Sequence, residues 1–417
     1  ETTTYYPTSI HRFGLGEQRL KAFKRARNEI SDIVRLPEPN PFIQAPDTPL
    51  PDTRKATIDT QPDVLFLSEG SFGYVLTENR FSQPKSDLYI RLRTPLASNS
   101  PEASIMSDLL ADAINEHLNS LSYAAALAGA GFSAQASQSG ITLQFSGYHQ
   151  SVVPLVNQVL DRFPIPLIDE SAWSRLRQLK SQELARVQAT RPSGRLFDEM
   201  TAELMLLAYS SAELNEAFAS IDRQTFHQYQ KAFFAGFSSE LFLHGPVARD
   251  EGKALLESWV KQLPIDESTP TVQITTNSWP GERTRSYQYN HPDQAATVLY
   301  IDRNTDPESR ILNRLAGNII EAPFYTRLRT EQQLGYLTFA TAFPLYNTPI
   351  LTGAIQSPTA DPDELVSAIQ KEFEEIIWHY RPAEFERRGI TNYRSREIEA
   401  DGIFSTYFIT FNTNFLF

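Results

Sequence analysis

Cysteine is absent from the 417 residues, which excludes disulfides, thiolate metal sites and cysteine nucleophiles. Histidine is scarce: the seven are His11, His117, His149, His227, His244, His291 and His379. None is spaced as H-x-x-E-H or H-E-x-x-H, the pairings that bring two imidazoles to one zinc ion. The nearest approach, Ala113-Ile114-Asn115-Glu116-His117, has alanine where a first ligand belongs. No G-x-S-x-G elbow and no G-x-x-x-x-G-K-[ST] phosphate loop occurs. No apolar run nears the roughly 18 residues of a membrane span. Positive charge is also in deficit, and a net charge of −12 argues against binding nucleic acid by neutralising phosphates. The opening residues Glu1-Thr2-Thr3-Thr4-Tyr5-Tyr6 lack the basic and apolar regions of a secretory signal, and they read as following an upstream segment. The expected chain holds no metal of its own, spans no membrane and binds no nucleic acid.

What is present is order. A short basic helix is expected around Glu17–Arg27. The string Leu36-Pro37-Glu38-Pro39-Asn40-Pro41-Phe42-Ile43, followed by Pro46, Pro49 and Pro51, makes a stiff extended connector with little helix capacity. Beyond it the chain repeats itself. Asp87–Leu92 alternates as a strand, Ser100-Pro101-Glu102 caps a helix running to about Leu127, and Gly131-Phe132, Ile141–Tyr148 and Leu155…Phe163 follow. The same order recurs at Val298–Ile301, Asp306-Pro307-Glu308, Ile311–Leu328, Gly335-Tyr336, Ile350–Ser357 and Leu365…Phe373, at offsets of about 204 to 211 residues. Six ordered matches predict a duplicated unit of strand, helix, two strands and helix. Between the copies lie helical stretches broken at Pro192 and a strand, Leu241–Gly245.

The stretch with most chemistry is Pro323-Phe324-Tyr325-Thr326-Arg327-Leu328-Arg329-Thr330-Glu331-Gln332-Gln333-Leu334-Gly335-Tyr336. A helix end carries two arginines, passes a polar turn and enters a strand at Leu-Gly-Tyr. Phe324, Tyr325 and Leu328 supply the apolar face, leaving Arg327 and Arg329 surplus to packing. Gly335 has no Cβ, so another backbone can come close beside it. The bland alternative makes Arg329 a solvated helix-end cation complementing the dipole and Tyr336 a half-buried strand aromatic.

This string resembles a segment of the pitrilysin/insulysin family, the inverted-motif zinc metallopeptidases, in the half of the enzyme without zinc. The connector also resembles the family, as do Phe81-Ser82-Gln83-Pro84-Lys85 and the helix through Asn115-Glu116-His117 to Ser122-Tyr123-Ala124. The resemblance covers nearly all of residues 1–385. It implies an α+β fold of two duplicated units, pitrilysin/insulysin-like and LuxS-like, each a mainly antiparallel sheet with helices on one face. Residues 1–60 would be the end of an upstream domain plus connector, 61–270 the family's third domain, and 271–417 its fourth.

The resemblance further implies that Arg329 and Tyr336 donate hydrogen bonds to substrate carbonyls near the scissile bond, with Arg327, Leu334 and Gly335 in substrate contact. Zinc would be bound by the N-terminal half and not by this chain, which would be inactive alone. The strand after Leu334 would pair with an extended peptide by β-addition. The expected partners are that N-terminal half and peptide substrates. The size leans towards a compact bacterial branch, the peptidase associated with pyrroloquinoline quinone biosynthesis, in the cytoplasm, with the periplasm as the other location. The competing expectation is a non-catalytic peptide-binding or structural subunit of the same fold. Two features depart from the family. The expected helical tail soon loses its apolar period after Ala383–Ile390, and the aromatic-rich end Phe404–Phe417 is expected to be buried against a partner or further chain.

Overall fold

The computed structural model describes residues 14–30, 38–43, 61–379 except 79, 82, 271, 278–282, 289 and 303, and 404–412. Most of the proline connector, including Pro46, Pro49 and Pro51, and the segment Ala383–Ile390 lie outside the described residues.

An isolated helix, α1 (Glu17–Ile30), precedes a first sheet built from β1 (Asp63–Ser68), β2 (Ser71–Thr77), β3 (Lys85–Arg93), β4 (Ala130–Ser137), β5 (Gly140–Tyr148) and β6 (Ser238–Gly245). Its order is β1-β2-β6-β3-β5-β4. Every neighbouring pair is antiparallel except β2 with β6. Strand alternation sets the core face: Leu88, Ile90 and Leu92 of β3 and Ile141, Leu143 and Phe145 of β5 are fully buried. They pack under α2 (Pro101–His117), α3 (Asn119–Leu127) and α4 (His149–Leu160). Ser100 caps α2 by accepting from the Ala103 N–H, with Pro101 in the first turn. The single helix expected to Leu127 is instead two, because Leu118 (φ −95°, ψ 5°) leaves helical geometry. The side chain of Asn115 ties α2 to β4, exchanging two bonds of 2.8 Å with the Ala134 backbone.

Four helices follow: α5 (Glu170–Gln188), α6 (Pro192–Leu204), α7 (Ser211–Ser220) and α8 (Arg223–Ala235); α9 (Arg249–Val260) comes after β6. The second sheet contains β7 (Arg283–Gln288), β8 (Gln294–Asp302), β9 (Leu337–Leu345), β10 (Thr348–Ser357) and β11 (Phe404–Asn412), in the order β7-β11-β8-β10-β9. Its helices are α10 (Pro307–Tyr325), capped by Asp306, and α11 (Pro362–His379). Thus β3-α2-β4-β5-α4 and β8-α10-β9-β10-α11 follow one path, the third strand lying between the other two.

Two sequence expectations change here. The second sheet has helices on both faces, not one. Alternation sends Ala296, Val298, Leu351 and Ile355 towards α10 and α11, and Ala295, Leu299, Ile301 and Ile350 towards Leu196, Met200 and Leu204 of α6. A helix from the middle of the chain therefore covers the later sheet. Of the segment Phe404–Phe417, expected to be buried against a partner or further chain, Phe404–Asn412 supplies β11, paired with this chain's own β7 and β8, and residues 413–417 lie outside the described residues. Among the described residues no helix is long and apolar enough to cross a membrane.

Candidate functional site

The end of α10 does not stop cleanly. It widens into a π-helical turn, Thr326–Glu331, in which the Gln332 N–H donates to the Arg327 carbonyl at 2.9 Å. Such turns add a residue to the helix and recur at functional sites. Gln333 then takes a left-handed φ of 54°, which turns the chain back towards β9. The Leu334 N–H reaches the Leu328 carbonyl at 3.0 Å, and Leu334 packs half-buried on the core.

Within this turn the two arginines part company. Arg329 Nη1 donates to the Gly335 carbonyl at 3.0 Å, bracing the turn while its remaining N–H groups can serve other acceptors. Arg327 Nη1 lies 3.1 Å from Glu372 and 3.0 Å from Glu375, both on α11. It is therefore not surplus to packing: a structural ion pair joins the turn to α11, away from the Tyr336 network. Gly335 packs closely against its own sheet. A Cβ there would meet the Gln356 carbonyl oxygen and come within 2.6 Å of Ile355 Cγ2, so the close backbone it admits is β10 of its own sheet. Tyr336 stands just before β9 rather than in it.

Tyr336 is 41 % exposed, yet its hydroxyl is engaged. It donates to Asp293 Oδ2 at 2.7 Å. Gln356 Nε2 donates to that same Oδ2 at 2.8 Å and also to the phenol oxygen. Gln356 Oε1 in turn accepts from the Ser193 N–H (3.2 Å) and Oγ (2.9 Å) in the first turn of α6, satisfying one of the orphan N–H donors of a helix start. Asp293 is mostly buried, which pushes its carboxyl up. The bonds from Tyr336 and Gln356 and the charges of His291 and Arg191 outweigh that and leave it below the ordinary carboxylate range. The bond to Asp293, then burial, raises the Tyr336 phenol above its ordinary value. In this arrangement the hydroxyl proton of Tyr336 is directed to Asp293.

Arg329, Gly335 and Tyr336 are thus brought together, Leu334 sits beneath them, and Arg327 faces elsewhere. Asp293, Gln356 and Ser193 escaped the sequence reading. Gln356, a lone amide in the apolar run Ile350–Ser357, was the available signal, because a buried amide demands partners. Beside the site, β9 is a sheet edge, pairing with β10 on one side. Its sequence LTFATAFPL carries no charge, so it lacks the charged residues that usually block strand addition.

Among the described residues no group of three or more His, Cys, Asp or Glu side chains could hold a metal ion. His117 is exposed on α2, and its neighbour Glu116 accepts from Arg175.

Fold and site together define an α+β protein with two sheets that carries no metal cluster in its described residues. The family model described as the middle or third domain of peptidase M16 matches residues 1–217, more than half of the sequence. The chain belongs to the M16 peptidase family, that of pitrilysin and insulysin. A second model, PQQ synthase PqqF-like C-terminal lobe domain 4, matches residues 315–390, a span that includes the π-helical turn and Tyr336. Protease 3 of Escherichia coli (strain K12) is 26 % identical over 338 residues, covering 78 % of this chain and 34 % of that protein. The crystal structure of pitrilysin superposes with a TM-score of 0.75 at 18 % identity, covering 96 % of this chain and 48 % of that one. A peptidase M16 inactive domain from Pseudomonas fluorescens gives 0.59 at 13 % identity, covering 85 % and 98 %. The chain spans about a third of the length of the curated relatives it matches.

Proposed function

We propose that this chain is a non-catalytic, peptide-binding part of a zinc peptidase, in which chain outside these 417 residues supplies the metal and the hydrolysis. The observation that carries this reading is the juxtaposition of an uncharged edge strand, β9, with Arg329 and Tyr336 at its entrance. An extended peptide added to β9 finds main-chain partners along the strand and a guanidinium with several N–H donors at its start. Leu334 and Gly335 shape the floor of that entrance. The likeness to an inactive M16 domain supports a binding or structural role over hydrolysis by this chain.

Within this reading, residues 61–270 and 271–417 are two copies of one ancestral unit, following 1–60 as the end of an upstream domain plus connector, and they correspond to the third and fourth domains of the family. The common path of their strands supports this. The match of residues 315–390 supports the pyrroloquinoline quinone branch and a bacterial setting. The partner would be the zinc-bearing half, and the substrates peptides.

The test is binding of a fluorescent, extended peptide to the purified chain, followed by anisotropy. Arg329→Ala should weaken it about 10- to 100-fold, the equivalent of the roughly 1.5–3 kcal/mol of a hydrogen bond to a charged group. Wild-type binding that never saturates would leave the purely structural subunit as the answer. So would equal affinity in a folded Arg329→Ala variant.

A further inference from the structure

We infer that Asn115 closes the outer edge of β4 to strand addition: its side-chain amide stands where one residue of an incoming peptide strand would pair, so the first unit takes no peptide there. This goes beyond the proposed function, which concerns the second unit.

In the first sheet β4 is the last strand, paired with β5 on one side. The phase of that ladder is fixed at its end, where the Tyr148 N–H donates to the Gly129 carbonyl at 3.1 Å. In an antiparallel pair, residues that exchange bonds alternate with residues that do not. Gly131, Ser133 and Gln135 therefore turn their main-chain groups to β5, and Phe132, Ala134 and Ala136 turn theirs to the outer side. Such a row of groups is a template for another strand. The sequence of β4, AGFSAQAS, carries no charge to discourage one.

Asn115, in the last turn of α2, reaches across to that row. Its Oδ1 accepts from the Ala134 N–H and its Nδ2 donates to the Ala134 carbonyl, both at 2.8 Å. One amide thus takes both outward groups of one residue, as a residue of a partner strand does in a hydrogen-bonded pair. The amide cannot be reversed, because a main-chain N–H only donates and a carbonyl only accepts. Ser122 of α3 reaches the neighbouring outward carbonyl, that of Phe132, at 3.5 Å. A peptide must break the two Asn115 bonds to gain the two it offers at Ala134, so the exchange yields little.

The second unit supplies the contrast. Its edge strand β9 follows the same path, and the capping residues Ser100 and Asp306 of α2 and α10 stand 206 positions apart. The same offset carries Asn115 to Glu321 of α10, which is exposed. A glutamate carboxylate has no N–H to give a main-chain carbonyl, so the two-way plug of β4 has no counterpart at that position.

The experiment follows hydrogen exchange across residues 130–137 of the full chain, with and without an excess of a synthetic peptide of the β5 sequence, Gly140–Tyr148, the natural antiparallel neighbour of β4. In the wild-type chain the peptide should leave exchange in β4 unchanged. In Asn115→Ala exchange there should quicken about 2- to 10-fold, as for the loss of one or two net hydrogen bonds, and the peptide should slow it again to the wild-type rate. Asn115→Ser, which keeps a polar group beside Ala134, gives the same test where Asn115→Ala does not fold. A wild-type β4 whose exchange the peptide slows overturns the inference. So does a folded variant whose β4 exchanges as fast with the peptide as without it.

Discussion

Replacing Arg327 with alanine separates the two arginines of the π-helical turn, and the structure sets the size and pH dependence of the effect. The guanidinium, 30 % exposed, lies between Glu372, 3 % exposed, and Glu375, 43 % exposed. Glu375 keeps a cation nearby in Lys371, at 3.9 Å, but Glu372 loses its counter-charge. Stranding a buried charge costs about 3–5 kcal/mol. A groove of about 220 Å³ beside the pair admits water, so the loss falls below that range, to about 2–3 kcal/mol.

Burial already pushes the Glu372 carboxyl above its ordinary value, and Arg327 holds it back; removing Arg327 raises it further. A carboxyl raised in the fold favours the protonated form, so its penalty appears as pH rises and is relieved as pH falls through the folded value. Urea midpoints should therefore show a larger deficit at pH 7.5 than at pH 5, and Glu372→Gln should recover most of it at pH 7.5. Peptide affinity per folded Arg327→Ala molecule should match wild type. A variant as stable as wild type, or a deficit independent of pH, would refute the reasoning.

Gly335→Ala forces a Cβ against the Gln356 carbonyl and to within 2.6 Å of Ile355 Cγ2. It should lower unfolding free energy by about 1–3 kcal/mol, with backbone NMR shifts concentrated in β10. Gln356→Leu strands the buried Ser193 N–H and hydroxyl at a cost of about 1–3 kcal/mol each. Hydrogen exchange should then quicken first in the opening turn of α6.

The elements that depend on local chemistry were legible in the sequence. Pro101 behind Ser100 and Pro307 behind Asp306 start α2 and α10 where the capping residues place them. Alternation in Asp87–Leu92 marks one central strand, and the continuous apolar run Val298–Ile301 marks another that is buried along most of its length. The string from Pro323 to Tyr336 could be singled out, but its wiring could not. Tyr336 meets Asp293 across 43 positions, and Gln356 meets Asp293 across 63 and Ser193 across 163. No periodicity reports partners so distant. Arg327 looked surplus because its helix has enough apolar residues without it, whereas its partners stand on α11, 45 and 48 positions away. The placement of α6 against the second sheet was hidden for a related reason: an amphipathic helix announces that it has a buried face, not which sheet will bury it.

That placement of α6 joins the stability of the fold to the site. The network of Ser193, Gln356, Asp293 and Tyr336 sits where the first turn of α6 meets the ends of β8 and β10. Buried amide and carboxylate groups are tolerable there because each finds a partner. Undocking α6 would remove the two donors that orient the Gln356 amide; the amide could then rotate, and the Tyr336 proton would no longer be directed to Asp293 by geometry. The orientation of the Tyr336 hydroxyl is therefore conditional on a helix from the middle of the chain. A peptide that binds the docked arrangement better than the undocked one must, by linkage, stabilise that docking by the same free energy. The apolar contacts of Leu196, Met200 and Leu204 with the second sheet hold the docked arrangement before any peptide arrives, so peptide binding does not itself have to supply the ordering.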